Sequence, residues 1–243
     1  MRTINVTIGT KGEKQQFWPK PNLLTLGGFL ELFTAHLVVK TKEGTKTFIP
    51  GELAGEKRTA MGTKLIEALV YDVDGANSIE EVQEILAKVG KTAIVYTSFS
   101  HQGTVTTIIE SQWKKFLRKN RQYEGKNVTP KMIEECLEFS NKGYLTNIKF
   151  DPKDPECVRQ TESGLTYFVK HDPVNKLRVI YPLAKPIVIR ELGGSYSDAW
   201  IKNYKSIYHG VGKALGLDFD EACEDPSRLY YFPSCPAETE QFS

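Results

Sequence analysis

Long apolar runs, paired cysteines and an excess of one charge are all missing from this 243-residue sequence, and each absence removes a class of protein. No stretch approaches the roughly 18 apolar residues of a membrane span. Met1–Gln15 is polar and lacks the apolar core of a secretory signal. A soluble, intracellular chain in the cytoplasm, with no membrane partner, is therefore expected. The cysteines at 136, 157, 223 and 235 form no C-x-x-C pair, so reduced thiols are expected rather than a disulfide framework or a zinc site. No histidine has a partner at metal-ligand spacing, and the missing His-x-His disfavours the histidine-metal nickases of rolling-circle replication. Without a G-x-x-x-x-G-K-[ST] loop, the chain is not a P-loop ATPase. There is no internal repeat or low-complexity tract. Lys and Arg number 32 against 30 Asp and Glu, so the sum identifies no partner and only the distribution is informative.

What is present has a globular composition, 40% hydrophobic and 26% charged, enough for one large domain or two small ones. Phe29–Val39 is an apolar run, and Lys40–Ile49 reads as a hairpin turning at Glu43-Gly44. Lys64–Val73 reads as a buried strand entering a turn at Asp72-Val73-Asp74-Gly75. Ser78-Ile79-Glu80-Glu81 is a capping box. Behind it, Ile79, Val82, Ile85, Leu86 and Val89 share one helical face, which Gly90 terminates. Lys91–Ser100 is the next strand, and strand, helix, strand in about 35 residues makes a crossover that favours a parallel pair. Thr107–Arg121 and Pro130–Lys142 read as helices, the second capped by Thr129. Leu165–Lys170 and Lys176–Leu183 read as strands joined by His171-Asp172-Pro173. Tyr196–Leu215 is a helix, and Leu229–Phe232 a last short strand.

Asp72-Val73-Asp74 is the sharpest chemical feature. Residues two apart on a strand share a face, and two carboxylates there repel unless cations lie between them. At the C-terminal end of a buried strand they suit two Mg²⁺ or Mn²⁺ ions, the arrangement that clamps a transferring phosphoryl group. The same tripeptide also fits a turn in which Asp caps the next helix. Five acids crowd Asp218–Asp225 and offer a third ligand, or an exposed acidic loop. His101, ending its strand beside Ser100, is placed to donate to a phosphate oxygen. Lys176 and Arg178, two apart, suit a triphosphate, which Arg178 grips bidentately. Arg228 adds a cation beside the acidic run. Trp113–Lys131 carries seven basic residues and one acid, either a solvated face or a nucleic-acid contact.

In order and content these blocks resemble the archaeo-eukaryotic primase superfamily, in its phage- and plasmid-encoded primase–polymerase branch. The matching residues are Leu69–Gly75, Tyr96–His101, Lys176–Leu183, and Gly216–Asp218 followed by Asp225–Pro233. The resemblance implies an α+β fold, with an N-terminal α/β module and a C-terminal module like an RNA-recognition motif, and the active site between them. It implies one domain over 1–243, with the N-terminal module at 1–101, a basic helical insertion at 102–170 and the C-terminal module at 171–243. Asp72 and Asp74 match the first metal ligands, and Asp220 the third, with Asp218 as the alternative one gap away. His101 matches the histidine on the incoming nucleotide's phosphates, with Ser98 or Ser100 as its hydroxyl partner and His171 as its alternative. Lys176 and Arg178 match the triphosphate-binding strand.

The implied activity is DNA primase or polymerase chemistry in phage or plasmid replication, adding an NTP or dNTP to a 3′-OH with Mg²⁺ or Mn²⁺. The implied partners are a single-stranded DNA template, a primer, and a helicase or C-terminal priming domain supplied separately or by a longer chain. The insertion departs from the family's spacing. Its Lys114, Lys115, Arg118, Lys119 and Arg121 are expected to track phosphates, with Trp113, Phe116 or Tyr123 stacking on bases and Phe116 and Leu117 also fitting a core. The competing readings are a non-catalytic nucleic-acid-binding replication initiator on the same fold, and a sugar- or nucleotide-binding enzyme using D-x-D and Mg²⁺.

Overall fold

Ile4, Val6 and Ile8 alternate along the first strand, β1 (Thr3–Thr10), and pack inward, as a strand with one buried face requires. In this computed structural model residues 2–10, 18–42, 45–55, 57–75, 77–193 and 197–236 are described, the side chains of Thr10, Ser197 and Asp198 excepted. The chain divides into one unit of Met1–His101 with Asn175–Ser243, and a second of Gln102–Val174. Both mix helices with mainly antiparallel sheet.

In the first unit β2 (Asn22–Thr25) and α1 (Leu26–Glu31) follow β1, then β3 (Leu37–Val39), β4 (Lys46–Ile49) and β5 (Gly51–Leu53). The expected hairpin over 40–49 does not form among the described residues. Both edges of β4 are occupied, by β1 and by a strand from the chain's end, while β3 pairs in parallel near the C-terminus. The proposed turn at Glu43-Gly44 lies outside the described residues. β6 (Thr63–Gly75) is the long buried strand foreseen, and α2 (Ile79–Lys88) carries both hydrogen bonds of the Ser78–Glu81 capping box. It ends as Gly90 takes φ +64°, a conformation open to glycine. β7 is Ile94–Thr97.

The second unit opens with β8 (Gly103–Ile108), where the sequence suggested helix by Thr107. The β-branched run Thr104–Ile109 suits a strand better, and the helical period starts later, in α3 (Glu110–Lys119). α4 (Pro130–Phe139) has its Thr129 cap and Pro130 as expected. β9 (Val158–Thr161) and the first half of β10 (Gly164–Val188) complete this unit. Its core packs Trp113, Phe116, Ile133 and Leu137 against Tyr167 and Val169. β10 runs 25 residues without the break expected at His171-Asp172-Pro173. The pairing with β8 shifts register between Lys170 and Val174, so Pro173, which cannot donate a ladder hydrogen bond, falls at an irregularity.

The second half of β10 belongs to the first unit, with α5 (Ser197–Ala214), β11 (Tyr230–Tyr231) and β12 (Ser234–Pro236). Tyr196, the expected start of α5, is outside the described residues. The sheet runs β5-β6-β10-β7, with β10 antiparallel to both neighbours. β6 and β7 are therefore parallel in direction but unpaired, because β10 lies between them. This split β-α-β corrects two expectations. The crossover strands are not neighbours, and the two segments assigned to separate modules share one sheet.

Odd residues of this sheet, among them Tyr71, Val73, Leu177 and Val179, pack under α2 and α5. Even residues, Ala68, Val70, Ile180 and Tyr96, pack under the β1 sheet. Gly212 on α5 has no room for a Cβ, which would enter the Phe219 ring and come within 2.8 Å of Tyr71 Cε1, whereas Gly210 has open space. Gly212→Ala should destabilise the fold by about 1–3 kcal/mol through overpacking. Gly210→Ala should stabilise it by up to about 1 kcal/mol through helix propensity. Urea midpoints moving in opposite directions would show this.

Candidate active site

The even face of the sheet changes character along its length. On β6 the buried Ala68 and Val70 give way to Asp72 and Asp74, and on β10 Ile180 gives way to Arg178 and Lys176. The antiparallel register sets Asp72 opposite Arg178 and Asp74 opposite Lys176. Arg178 Nε donates to Asp72 Oδ1 at 2.6 Å, and Lys176 Nζ donates to Asp74 Oδ2 at 3.0 Å. The like charges two apart on each strand are thus relieved by opposite charges across the ladder.

Arg178 is 6% exposed. Beyond Asp72 it donates to Tyr96 Oη at 3.3 Å and to the Tyr231 carbonyl at 3.0 Å, and it lies over the Tyr96 and Tyr230 rings. Burial alone would raise the Asp72 pKa, but the charge and hydrogen bond of Arg178, then the charge of Arg228, hold it below the usual carboxylate range. Burial pushes the Tyr96 hydroxyl up to about 12, so it stays neutral beside the guanidinium.

The chain beyond α5 brings in the third acid. Past β5 the free edge of β6 is capped by other donors. The Tyr208 and Tyr230 hydroxyls donate to the Val70 carbonyl, and the Asp220 N–H donates to the Asp72 carbonyl at 2.9 Å. Asp220 is thus brought beside Asp72 and half-buried, whereas Asp218 is exposed. Cys223 is fully buried, with Sγ 3.4 Å from Asp72 Oδ2 and 3.6 Å from Asp220 Oδ2. Burial, then Asp72, raises the thiol's pKa, so it stays protonated, with its one S–H in reach of either carboxylate. Arg228 reaches within 3.6 Å of Asp72 Oδ2. In the sequence Cys223 is one more reduced thiol, and no spacing signal places it between two carboxylates.

His101 joins the cluster through the backbone. The Lys176 N–H donates to His101 Nδ1 at 3.2 Å, and the Ser98 N–H to the Lys176 carbonyl at 2.8 Å. With Nδ1 accepting, the neutral ring carries its proton on Nε2 and can donate there. Burial, then the charge of His36, lowers its pKa and favours that neutral form. His36, given no role from sequence, bonds Thr97 in the adjoining strand. Ser100 lies exposed in the turn, and His171 is buried in the second unit against the Asp172 carbonyl.

The rest of the acidic run does not converge on this place. Glu224 pairs with Lys205 and His209 of α5, and Glu221 and Asp225 are exposed. In the second unit Lys114, Lys115, Arg118, Lys119 and Arg121 are all exposed, and Lys114, Leu117, Arg118, Arg121 and Glu124 line an open groove of about 790 Å³. Trp113 and Phe116 are core residues, and Tyr123 stacks on Phe116 and donates to Glu135. Phe116 and Leu117 join the core as expected, and the expectation that Trp113 stacks on bases is corrected, because the helix turns these residues inward and its cations outward.

Among the described residues no group of three or more His, Cys, Asp and Glu side chains is arranged to hold a metal. The donor chemistry still suits a hard divalent cation. Asp72 Oδ2 and Asp220 Oδ2 face one sulfur, and Asp74 follows Asp72 on the same strand face. Asp72 Oδ1 is committed to Arg178, while Lys176 and Arg228 stand where a cation would. Neither a family model, nor a curated protein, nor a solved structure matches this chain.

Proposed function

We propose that this chain is a template-directed nucleotidyltransferase of the primase–polymerase kind, adding an NTP or dNTP to a 3′-OH on a single-stranded DNA template in phage or plasmid replication. One observation supports this above the others. Segments at 72–74, 98–101, 176–178 and 220–228, separated by up to about 150 residues, meet at one end of one sheet with acids, cations and a histidine interleaved.

Asp72, Asp74 and Asp220 would hold Mg²⁺ or Mn²⁺. A bound divalent cation would acidify the attacking hydroxyl and screen charge on the transferring phosphoryl group. Lys176 and Arg228, both partly exposed, would orient the phosphates, with His101 Nε2 as a neutral donor. Arg178 is too enclosed to reach a ligand with its Nε and serves instead to fix Asp72.

The five cations of α3 and its following turn would carry the template's phosphates. With the nearby aromatics turned inward, binding there is electrostatic and independent of base sequence. Replacing Lys114, Lys115, Arg118, Lys119 and Arg121 by Gln should weaken binding of a labelled oligo(dT). The slope of log K against log salt should flatten by up to about 3.5, at about 0.7 per charge for single strands. Anisotropy titrations over a salt series measure this, and an unchanged slope removes α3 from the template path.

The test of the reading is primer extension and de novo synthesis on a single-stranded template, with Mg²⁺ or Mn²⁺ and either nucleotide pool. Product that requires both metal and template supports it. No product from folded protein with either metal turns the reading to a non-catalytic nucleic-acid-binding initiator, which the ion-paired state of Asp72 and Asp74 also suits.

A further inference from the structure

The cluster is balanced. Asp72, Asp74 and Asp220 stand with Lys176, Arg178 and Arg228, and a ligand would have to break the pairings of Lys176 with Asp74 and of Arg228 with Asp72. The three cations are held unequally. The Arg178 side chain is 7% exposed and bonded on three sides, to Asp72, Tyr96 and Tyr231. The Lys176 side chain is 22% exposed on a flexible stem, and that of Arg228 is 34% exposed, 3.6 Å from its carboxylate and tied by one hydrogen bond to the Ala222 carbonyl. Arg178 is therefore the fixed member, and Lys176 and Arg228 are the ones able to swing.

We propose that Lys176 and Arg228 are displaceable counter-ions, holding Asp74 and Asp72 until a polyphosphate takes them, so that polyphosphate and divalent cation bind with positive coupling. This deepens the nucleotidyl-transfer reading and rests on it for the choice of ligands. A divalent cation arriving alone meets two ammonium or guanidinium groups already on its carboxylates. A polyphosphate arriving alone finds its cations already spent and carboxylates beside them. Arriving together, each ligand removes the other's competitor, and the divalent cation offsets part of the polyphosphate's charge. Coupling of this kind is reciprocal, and its usual range predicts a change of about tenfold or more in each affinity.

Two variants of the full chain separate the halves without mixing a chelating anion with a metal. In Lys176→Met the carboxylate of Asp74 loses its occupant. Mn²⁺ alone, measured by electron paramagnetic resonance of the free ion, should bind about tenfold tighter than to wild type. In Asp74→Asn the lysine loses this carboxylate. Inorganic triphosphate in EDTA, measured by calorimetry, should bind about tenfold tighter. Lys91→Met and Glu84→Gln, at exposed positions in the same unit, repeat the change in net charge away from the cluster. They should leave both affinities near wild type.

Mn²⁺ binding that ignores Lys176, or that matches the Lys91→Met control, overturns the exchange, as does triphosphate binding that ignores Asp74. If Lys176→Met does not fold, the triphosphate measurement on Asp74→Asn decides. Affinities that move as expected in a protein that extends no primer would retire the polymerase reading and keep the exchange. Extension with unmoved affinities would do the reverse.

Discussion

Metal-dependent primer extension is expected to fall about a thousandfold or more in Asp72→Asn, with affinity for single-stranded DNA unchanged. The substitution keeps the shape of the side chain, and the amide oxygen can still accept from Arg178 Nε, now 2.6 Å from Oδ1. What it removes is the negative charge that would face a metal through Oδ2. Metal stabilisation of a phosphoryl-transfer transition state is worth several kcal/mol, and about 1.4 kcal/mol is tenfold in rate. Asp220→Asn should approach the same loss, because its carboxylate shares the Cys223 thiol with Asp72. Asp218→Asn, at an exposed position, should retain near wild-type rates. Single-turnover extension with saturating Mn²⁺ measures all three. More than a tenth of wild-type rate in Asp72→Asn would remove that carboxylate from the chemistry.

Local features of this architecture were legible because local rules decide them. The Ser78–Glu81 box, the stop at Gly90, the Thr129-Pro130 helix start and the buried run before Asp72 depend on residues within a turn or two of one another. The order of strands does not. β6 and β7 point the same way, as their crossover requires, but the insertion of β10 between them joins residues about 100 positions apart, which no periodicity encodes. The break read at His171-Asp172-Pro173 failed for the same reason, since a distant strand accommodates the proline at an irregularity.

For the candidate site, residue types were readable and partnerships were not. Asp72, Asp74, Lys176 and Arg178 stand out by two-residue spacing alone. That they neutralise one another follows only from the register, which pairs 72 with 178 and 74 with 176. Of the tyrosines that complete the place, Tyr96 and Tyr230 fall in the resembling blocks without any role attached to them, and Tyr208 gave no sequence signal. They sit in ordinary apolar patterns, and only their hydroxyl partners on the free edge of β6 and beside Arg178 give them roles.

Arg178→Met should destabilise the first unit by about 3 kcal/mol, the low end for removing one member of a buried ion pair. The low end applies because Asp72 keeps Arg228 at 3.6 Å and some exposure to water. The loss has two sources. Asp72 is left in a partly dry setting with its closest counter-charge gone, and the Tyr231 carbonyl and Tyr96 hydroxyl lose a donor. Replacing both members, Arg178→Met with Asp72→Leu, should restore much of the stability, since an apolar pair of similar volume carries no charge to desolvate.

The acid limb gives an independent readout of the same pair. The folded-state pKa of Asp72 is depressed, so its contribution is complete above an unfolded value near 3.9 and drains away as pH falls through the folded one. In Arg178→Met the largest causes of the depression go, leaving Arg228 and the Cys223 thiol against burial, and this part of the acid sensitivity shrinks with them. Urea denaturation at pH 7 and along an acid series tests both statements. In a Trp113→Phe background, tryptophan fluorescence reports Trp18 and Trp200 alone, and both are buried in the first unit. A loss under about 1 kcal/mol at pH 7, or an acid limb parallel to wild type, would mean that the Asp72–Arg178 contact is not what holds this end of the sheet.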